Sequence, residues 1–417
     1  MRILIHGIHF LPDLIGIGRF TGDMAWWLAL QGHQVRVVVA PPFYPEWKVA
    51  KGYSWWRFTR QKTGFVLPKR VPAIAGGDLS VCRCPIWVPA KPTGIKRILH
   101  FVSFALCSFP VMLMQCFWRP NVVLVIEPTL FCGPQAWLVA RLSGARAWLH
   151  IQDLEVDAAF EMGLLPSGLL SQFAYAVERF LLRRFDQVST ISVNMLTRLK
   201  AKGVAKGVLF PNWVDTEAIF PLSRVSSIRQ ELGLSDDLVV ALYSGNMATK
   251  QGLEILIEAA RSLAGNASIR FIICGDGPAK ARLQDLALGL DNIMFLPLQP
   301  IEKLNDLLNL GDIHLLPQLA DVADLVMPSK LTGMLASGRP VVATAAVGTQ
   351  VEEVVRGRGI IVKPGDILAL AAAVGALAVN SEMRQKFGQA AREYALANLS
   401  KEAVLRRVES DLVAVLR

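Results

Sequence analysis

Runs of residues typical of buried strands alternate with runs typical of helices along the whole 417-residue chain. The alternation begins twice, first at Arg2–Ile8 and again at Leu238–Tyr243. Each of these strand-like runs is followed by a glycine-containing loop and then by a helical pattern. Such alternation excludes an all-β sandwich and a plain helical bundle. The sequence therefore predicts an α/β protein made of two Rossmann-like, doubly wound domains.

The length of the chain agrees with two domains, because a single core stops growing at roughly 250–300 residues. Hydrophobic residues make up 53% of the chain, which is enough apolar material for two cores. We expect an N-terminal domain over residues 1–205 and a C-terminal domain over residues 206–394, with a helix near 395–417 that packs back on the first. Sheets of this kind bind ligands beyond the carboxyl ends of their strands, so two facing sheets predict a deep interdomain cleft.

Positive charge and tryptophan are concentrated in residues 1–119. This segment holds 15 Lys and Arg against four Asp and Glu, a net charge of +11, and seven of the ten tryptophans. Basic side chains interleaved with Trp are typical of proteins that bind an anionic membrane surface. A solvated basic surface is the plain alternative. A nucleic-acid partner is not predicted, because no helix-turn-helix, zinc-finger or RNA-binding signature accompanies the charge.

An uncharged segment of 21 residues lies between Arg97 and Arg119. As a helix it would reach about 31 Å, close to the thickness of the hydrocarbon layer, although Pro110 interrupts it. The polar residues within it share one arc of the helix: His100, Ser103, Ser108 and Gln115. This pattern favours a helix buried on one side, either in the protein core or in the headgroup layer, over a helix that spans the membrane.

The six cysteines form no Cys-x-x-Cys pair, and their scatter is typical of buried thiols in a reducing cytoplasm. The first ten residues are too short for the apolar core of a signal peptide and lead directly into Pro12 and Asp13. We therefore expect a cytoplasmic protein whose N-terminus is a buried strand. The sequence holds no Asp-x-Asp and no cluster with metal-ligand spacing, so we expect no metal cofactor.

Several short motifs of the second half follow one another in a characteristic order. They are Pro211–Asp215 with Phe220 and Pro221, Gly275–Pro278, Pro328–Leu331 with Ala336–Val342, and Lys363–Asp366. In this order they resemble the retaining glycosyltransferases of the two-Rossmann GT-B type, in the large group 4 family. The resemblance implies a nucleoside-diphosphate sugar as donor and a reaction that needs no metal.

A narrower likeness lies in the first half of the chain. The segments that carry it are Gly16–Gly22, Ala40–Pro45, Pro128–Cys132 and His150–Asp157. They are similar to the colanic acid biosynthesis glycosyltransferases. That resemblance implies transfer of L-fucose from GDP-fucose to a saccharide on a polyprenyl-diphosphate lipid during exopolysaccharide assembly. It also implies a peripheral position on the inner face of the cytoplasmic membrane, in agreement with the basic, Trp-rich segment 1–119.

A metal-free transfer must stabilise the departing diphosphate with cations, backbone N–H groups and helix N-termini. Lys330 is the strongest candidate, because it follows Ser329 at a predicted helix start where the helix dipole adds to its charge. Lys250 is a second candidate, but the places where the family carries an Arg and a Lys hold Asn246 and Gln251 here. For both lysines the alternative is a solvated side chain.

The family also carries two glutamates with seven residues between them, and the second of these holds the ribose of the donor. The first position is a leucine here and the second is Gly333, so neither carboxylate is present. Asp324, next to the first position, is predicted to turn its carboxylate onto the donor sugar, with Asp321 as a fallback. The ribose hydroxyls then fall to a glutamate of the next loop, Glu352 or Glu353.

In the N-terminal half, Gly16 and Gly18 would let the backbone approach a diphosphate or the acceptor closely. His150 and Asp153 end a buried strand, where the site residues of such sheets gather, and either could orient an acceptor hydroxyl or the donor sugar. A satisfied core histidine and a solvated acidic turn are the alternatives. The base of the donor is expected to meet backbone groups around Leu298.

The predicted site therefore has two sets of residues. Those expected to act on the reacting groups are Lys330, Asp324, Asp153 and His150. Those expected to bind the donor are Gly16, Gly18, Gly245, Asn246, Lys250, Gly275, Leu298, Ser329, Glu352 and Glu353. The expected partners are a nucleotide-sugar donor, a polyprenyl-linked acceptor and an anionic membrane surface.

Three other functions stand against this one. A nucleotide-sugar epimerase of the same fold would need a water-activating acid/base pair and no lipid acceptor, and the apolar segment after Arg97 argues against it. A nucleotide-dependent oxidoreductase expects a complete Gly-x-Gly-x-x-Gly directly after the first strand, whereas Gly16 and Gly18 come about eight residues later. A non-catalytic membrane scaffold is motivated by the missing glutamates.

Overall fold

The computed structural model describes residues 1–417 apart from residues 14–15, 45, 63–76, 92, 128–129, 162–167, 249–250 and 320–327. The chain divides into two compact units. The first unit comprises Met1–Pro211 together with Leu405–Arg417, and the second comprises Asn212–Val404. The end of the chain is tied to the first unit by Glu409, whose Oε1 lies 2.8 Å from His33 Nε2.

The first unit is built on a sheet that has eight strands in the described residues. They are β1 (Arg2–Gly7), β2 (Gln34–Val39), β3 (Thr59–Lys62), β4 (Asp78–Arg83), β5 (Val122–Ile126), β6 (Arg146–Ile151), β7 (Gln187–Thr190) and β8 (Gly207–Leu209). Their order is β3-β4-β2-β1-β5-β6-β7-β8, and all neighbouring pairs are parallel except β3 with β4. Ile3, Leu4 and Ile5 of β1 are fully buried, as expected for a parallel strand covered on both faces.

Helices connect most of these strands along the chain. They are α1 (Ile17–Leu30), α2 (Gly94–Met114), α3 (Gly133–Ser143), α4 (Glu155–Glu161), α5 (Leu169–Leu182) and α6 (Val193–Ala201). The strand order reverses at β1, which has β2 on one side and β5 on the other. In sheets of this kind, ligands bind beyond the carboxyl ends of the strands at such a reversal.

The second unit is built on a sheet that has six parallel strands in the described residues. They are β9 (Val239–Ser244), β10 (Ile269–Cys274), β11 (Ile293–Leu296), β12 (Ile313–Leu316), β13 (Val341–Thr344) and β14 (Gly359–Val362). Their order is β11-β10-β9-β12-β13-β14, so the reversal falls at β9. The core on one side of this sheet includes Tyr243, Phe271 and Leu315, all fully buried.

The remaining helices belong to the second unit or close the chain. They are α7 (Ser227–Glu231), α8 (Glu254–Ser262), α9 (Lys280–Leu286), α10 (Leu304–Leu310), α11 (Ser329–Ala336), α12 (Gln350–Val355), α13 (Ile367–Val379), α14 (Ser381–Tyr394) and α15 (Lys401–Ala414). A π-helical turn, Ala395–Leu399, joins α14 to the segment before α15. From Leu405 onward α15 is part of the first unit.

The predicted fold class, two doubly wound parallel-sheet units, is confirmed by these two sheets. Two local predictions are wrong. The stretch from Pro41 to Pro92 is rich in Pro, Gly and Trp, a composition that predicts irregular structure, but it contains β3 and β4, and β4 is a mostly buried strand next to β2. Pro110 is predicted to interrupt its helix, but α2 continues through it to Met114 and a 3-10 turn, Gln115–Trp118, follows.

Candidate active site

Two glycine turns stand side by side at the carboxyl edge of the second sheet. Gly245 follows β9 and Gly275 follows β10, with φ angles of 145° and 146° in the region that favours glycine. The Gly245 N–H donates to the Cys274 carbonyl at 2.9 Å, and the Met247 N–H donates to the Asp276 carbonyl at 2.8 Å. A Cβ on Gly275 would lie 2.0 Å from the Gly245 carbonyl oxygen. The turns therefore form one backbone surface that only glycine permits.

Lys330 reaches this surface from the first turn of α11. Its Nζ lies 3.1 Å from the Tyr243 hydroxyl, 3.3 Å from Gln251 Oε1 and 4.3 Å from the centre of the Tyr243 ring. A Cβ placed on Gly245 would be 3.7 Å from the same nitrogen. Among the residues described, no carboxylate forms an ion pair with Lys330. The ammonium group thus stands beside two glycine turns with neutral partners.

Burial changes the chemistry of this lysine. Desolvation lowers the pKa of Lys330 to about 7, so the free protein holds it partly neutral at neutral pH. Burial also raises the pKa of Tyr243, which keeps its phenol protonated. A cation that has lost its water and gained no counter-charge is stabilised by an incoming anion. The arrangement can therefore hold a phosphate group at the edge of β9.

The start of α11 adds to this anion-binding character. Pro328 precedes Ser329, and the first turn carries no acidic residue and no side-chain cap. The unsatisfied N–H groups of a helix start favour an anion. The backbone carbonyl of Asn246 accepts a hydrogen bond from the Tyr243 hydroxyl at 2.7 Å. The structure thus brings together Lys330, Ser329 and the two glycine turns.

Other predicted donor residues lie at the same edge but have different surroundings. Leu298 follows β11 and its side chain is 69% exposed, so only its backbone is suited to recognition. Glu352 accepts from the Gly348 N–H at 3.3 Å and from Arg356 Nε at 3.0 Å, and the hydrogen bond from Arg356 is the main reason why its pKa is lowered. Glu353 is exposed on α12. Glu352 is therefore already held by an ion pair, whereas Glu353 faces solvent.

Some predicted residues cannot be placed. Lys250, Asp321 and Asp324 lie outside the described residues. In the part of the chain that is described, no three His, Cys, Asp or Glu side chains come together as metal ligands.

In the first unit, Gly16 and Gly18 shape the loop after β1. Gly16 has a φ angle of 65° and directly precedes α1, and a Cβ there would meet no atom of the described residues within 4 Å. A Cβ on Gly18 would lie 2.7 Å from Asp13 Cβ. Gly18, in the first turn of α1, therefore allows the loop at Asp13 to pack closely against the start of the helix.

His150 lies within β6 and is buried. Its Nδ1 is 3.0 Å from Ser189 Oγ, its ring centre is 4.4 Å from that of Phe210, and burial lowers its pKa to about 3. A neutral ring with these contacts fits the core-histidine alternative. Asp153 follows the strand and is half-buried.

Glu127, which the sequence motifs do not indicate, lies at the same edge of the sheet as Asp153, because β5 and β6 are neighbouring parallel strands. Glu127 directly follows β5, is only 4% exposed, and its Oε1 has no hydrogen-bond partner among the residues described. Burial is the main cause that raises the pKa of Glu127 to about 8, with smaller contributions from Glu178 and Asp153. In the sequence, the feature that could have identified Glu127 is its position immediately after the apolar run Val122–Ile126.

The acids around Glu127 are only partly neutralised. Burial, and then the charge of Glu127, raises the pKa of Glu155 well above its usual value. Lys202 Nζ lies 2.8 Å from Asp157 Oδ1 and 2.5 Å from Glu178 Oε2. The carboxyl edge of the first sheet therefore carries a group of acids of which Glu127 is protonated at neutral pH.

Comparisons with known proteins point to glycosyltransferases over nearly the whole chain. The family model for glycosyl transferase 4-like domains matches residues 16–213, and the model for glycosyl transferases group 1 matches residues 225–394. The chain is 43% identical to WcaI of Escherichia coli K12, named as a colanic acid biosynthesis glycosyl transferase, across 99% of this chain and 100% of the relative.

Solved structures share the fold. Sucrose-phosphate synthase from Thermosynechococcus elongatus matches with a TM-score of 0.74 at 17% identity, over 99% of this chain and 98% of that one. HepE from Anabaena, solved in complex with UDP, matches with a TM-score of 0.69 at 16% identity, over 99% and 100% of the two chains. At these identities the likeness concerns the fold alone.

Proposed function

We propose that this protein extends a lipid-linked saccharide. The chain belongs to the glycosyltransferases that combine an N-terminal glycosyl transferase 4-like domain with a C-terminal group 1 domain. The predictions of a GT-B fold and of glycosyltransferase activity are confirmed by the relatives and solved structures. The proposed donor is a nucleoside-diphosphate sugar. The proposed acceptor is a saccharide on a polyprenyl-diphosphate lipid, and the product is a repeat unit of a colanic acid-like exopolysaccharide.

The observation that carries this proposal is the position of Lys330 beside the turns at Gly245 and Gly275. In our proposal the diphosphate of the donor lies on this backbone surface. Its charge favours the ammonium form of Lys330, which then stabilises the negative charge that develops as the bond from sugar to phosphate breaks. The start of α11 at Ser329 adds its N–H groups. We propose that this set of groups does the work without a metal ion.

The finer identity of the donor rests on the resemblance of the first half. We propose L-fucose carried by GDP, with retention of the anomeric configuration, as the resemblance to the colanic acid biosynthesis glycosyltransferases implies; the relative at 43% identity supports the resemblance by its name. Glu353 is proposed for the ribose hydroxyls, since Glu352 is engaged by Arg356. We also propose Asn246 and Lys250 for binding of the donor, and Asp324 for contact with the donor sugar.

The acceptor is proposed to bind at the carboxyl edge of the first sheet. Asp153 and Glu127 are the groups proposed to bind its hydroxyls, because they follow the carboxyl ends of β6 and β5, the two strands on one side of the reversal at β1. His150 is proposed as a positioning residue that acts through its strand. A peripheral location on the inner face of the cytoplasmic membrane is proposed because residues 1–119 carry the excess of positive charge.

A donor screen tests the proposed function. Purified protein is mixed with a short-chain polyprenyl-diphosphate saccharide and each of a panel of GDP-, UDP- and dTDP-sugars, and product and nucleotide are quantified. We expect product from a GDP-sugar, best with GDP-fucose. Conversion of a donor to its epimer without acceptor would instead identify an epimerase. Failure with every donor would contradict the proposal.

A further inference from the structure

Helix α2 buries its polar arc, together with Phe101, Phe104 and Met112, against the rest of the first unit, whereas an ordinary surface helix turns its polar side to solvent. His100 and Ser108 are fully buried. His100 Nδ1 lies 2.6 Å from the Trp87 carbonyl oxygen, and Ser103 Oγ accepts from the Trp87 N–H at 3.0 Å. Ser108 Oγ accepts from Gln135 Nε2 at 3.0 Å. Most of the polar arc therefore makes contacts inside the protein, while His100 Nε2 is buried without a hydrogen-bond partner among the described residues.

The outward side of the same helix is apolar. Ile95, Leu99, Leu106 and Phe109 are 71%, 52%, 69% and 36% exposed. At 100° per residue these four side chains fall within about 80° of one another. Beyond the helix, Phe117 is 92% exposed. Exposed apolar rows of this kind mark a surface that another apolar phase covers.

The burial of α2 distinguishes between the three positions considered from its sequence, which are the protein core, the headgroup layer and a span across the membrane. The segment Gly94–Trp118 is long and apolar enough to cross a membrane. Only 22% of an apolar stretch of 18 residues within it is buried in the protein, which is too little for a core helix. Its polar side is held along its length, from His100 near one end to Gln115, whose Oε1 accepts from Arg36 of β2 at 3.0 Å. A helix fixed along its length to a folded unit lies on that unit and does not leave it to span a bilayer.

A second exposed patch is joined to the start of α2. Trp55, Trp56 and Trp87 are 59%, 56% and 42% exposed. The Ile86 N–H donates to the Trp55 carbonyl at 2.9 Å, and Trp87 is the residue that holds His100 and Ser103. The two patches are thus linked by direct hydrogen bonds. Tryptophan at such a position is suited to the headgroup layer.

Positive charge accompanies both patches. Lys91, Lys96 and Arg97 are exposed at the start of α2. Arg57 is exposed beside the tryptophans, and its guanidinium carbon lies 4.5 Å from the centre of the Trp56 ring. Basic side chains at an apolar surface favour anionic phospholipids over neutral ones and over a generic protein partner.

We infer that α2 and the neighbouring tryptophans dock the protein on an anionic bilayer, with α2 lying in the plane of the headgroups. The docking surface is Ile95, Leu99, Leu106 and Phe109 with Trp55, Trp56 and Trp87. This inference deepens the proposed function and rests on it for its purpose, because an acceptor on a lipid must be reached from the membrane surface.

The inner side of α2 connects this surface with the predicted acceptor edge. The ring centre of His100 lies 4.7 Å from that of Phe43 and 5.3 Å from that of Trp47. Phe43 in turn stacks on His9 at 5.1 Å, directly beyond the end of β1. One helix therefore faces lipid on its outer side and the reversal of strand order on its inner side. A saccharide held by a bilayer-anchored lipid would meet the protein at this place.

Vesicle flotation of the full chain tests the docking surface. The vesicles are phosphatidylcholine alone and phosphatidylcholine with about one third phosphatidylglycerol. We expect binding to the anionic vesicles and a loss of at least about tenfold in the Leu99→Glu, Leu106→Glu double variant. The matched control is Leu288→Glu with Val379→Glu, because these side chains are 78% and 81% exposed in the second unit. The control should float like the wild type, and all three proteins should keep the same Tm.

Several outcomes would overturn the inference. They are equal flotation of the double variant and the wild type, no flotation of the wild type, or a wild-type dimer that the double variant converts to a monomer without any vesicle binding. Transfer to a short-chain acceptor in detergent separates this failure from failure of the proposed function. We expect the double variant to keep wild-type turnover there. Absence of any transfer by the wild type would count against the function and leave the flotation result standing.

Discussion

The ammonium group of Lys330 donates a hydrogen bond to the Tyr243 hydroxyl at 3.1 Å and lies 4.3 Å from the centre of its ring. Tyr243 belongs to β9, and its hydroxyl donates to the carbonyl of Asn246 in the following turn at 2.7 Å. The lysine is therefore fixed by the strand whose carboxyl end it overlooks. An anion on the glycine turns would meet a positioned charge and would not have to draw one in from solvent.

Replacing Lys330 with methionine keeps most of the apolar stem and removes the charge. We expect turnover to fall by about 100-fold or more, because one strong electrostatic group at a leaving diphosphate typically contributes that much. The measurement is kcat at saturating donor, with Tm as the check on folding. Turnover within about twofold of the wild type would remove Lys330 from the site.

The affinity for donor should depend on pH through the same residue. The pKa of Lys330 is about 7 in the free protein, so the lysine is charged below pH 7 and neutral above it. A bound diphosphate favours the charged form. Binding above pH 7 must therefore take up a proton, and affinity should fall by up to about tenfold per pH unit.

Calorimetry from pH 6 to 9, in buffers with different ionisation heats, measures both the affinity and the proton uptake. The Lys330→Met variant is the control, and its affinity should be lower and nearly flat with pH. A wild-type affinity that stays constant from pH 7 to 9 would contradict this account of the lysine.

Gly275→Ala should damage the backbone surface of the site. The new Cβ would lie 2.0 Å from the Gly245 carbonyl oxygen in a backbone with φ of 146°. We expect a loss of about 2 kcal/mol or more in the free energy of unfolding, together with weaker donor binding.

Gly289→Ala is the matched control, because Gly289 has a φ of 79° but no atom of the described part of the chain within 4 Å of its Cβ position. It should lose only about 1 kcal/mol from backbone strain and keep donor affinity. Urea unfolding and donor titration of both variants decide the matter. Equal losses in the two variants would show that the contact between the turns contributes nothing.

Glu127 should make the stability of the protein depend on pH. Its pKa of about 8 lies above its ordinary value of 4.5, so the folded state keeps a proton that the unfolded chain releases. The stability that this carboxyl contributes is therefore present below about pH 4.5 and is lost as the pH rises toward 8. Glu127→Gln, which cannot ionise, should be more stable than the wild type at pH 8 and lose that advantage near pH 5.

Thermal unfolding at pH 5 and pH 8 measures this difference, which is at most about 1.4 kcal/mol for each pH unit. Glu302→Gln serves as the control, because Glu302 is exposed and its replacement should change Tm equally little at both values. A lower Tm for Glu127→Gln than for the wild type at pH 8 would mean that Glu127 is ionised in the folded protein.

Activity should survive chelation. In the proposed site Lys330, the glycine turns and the start of α11 stabilise the charge of the diphosphate, so EDTA should leave the transfer rate unchanged within about twofold. Loss of activity on chelation that Mn²⁺ or Mg²⁺ restores would show that a metal ion carries the diphosphate.

Much of the fold is readable from the sequence because strands such as β1 and β9 are buried on both faces and stand out as short apolar runs. β4 does not stand out, since its residues Asp78–Arg83 lie in a stretch rich in Pro, Gly and Trp and owe their burial to pairing with β2. The position of Lys330 is also predictable, because the motif around it places it at a helix start.

The orientation of α2 could not be predicted in the same way. Its periodicity shows that His100 and Ser108 share an arc, but not that this arc faces the protein, because their partners Trp87 and Gln135 come from other segments. No sequence spacing relates Glu127 to the residues that surround it. Its burial therefore becomes apparent only when β5 and β6 are placed side by side in the sheet. In both cases the missing information is tertiary.

We propose that this glycosyltransferase moves a sugar from a nucleotide to a lipid-linked saccharide and that it depends on Lys330 to do so. The most direct measurement is transfer of radiolabelled L-fucose from GDP-fucose to a polyprenyl-diphosphate saccharide, by the wild type and by Lys330→Met at matched concentration. We expect labelled lipid-linked product with the wild type and about one hundredth of that rate, or less, with the variant. No labelled product with the wild type, or equal rates for the two proteins, would contradict it.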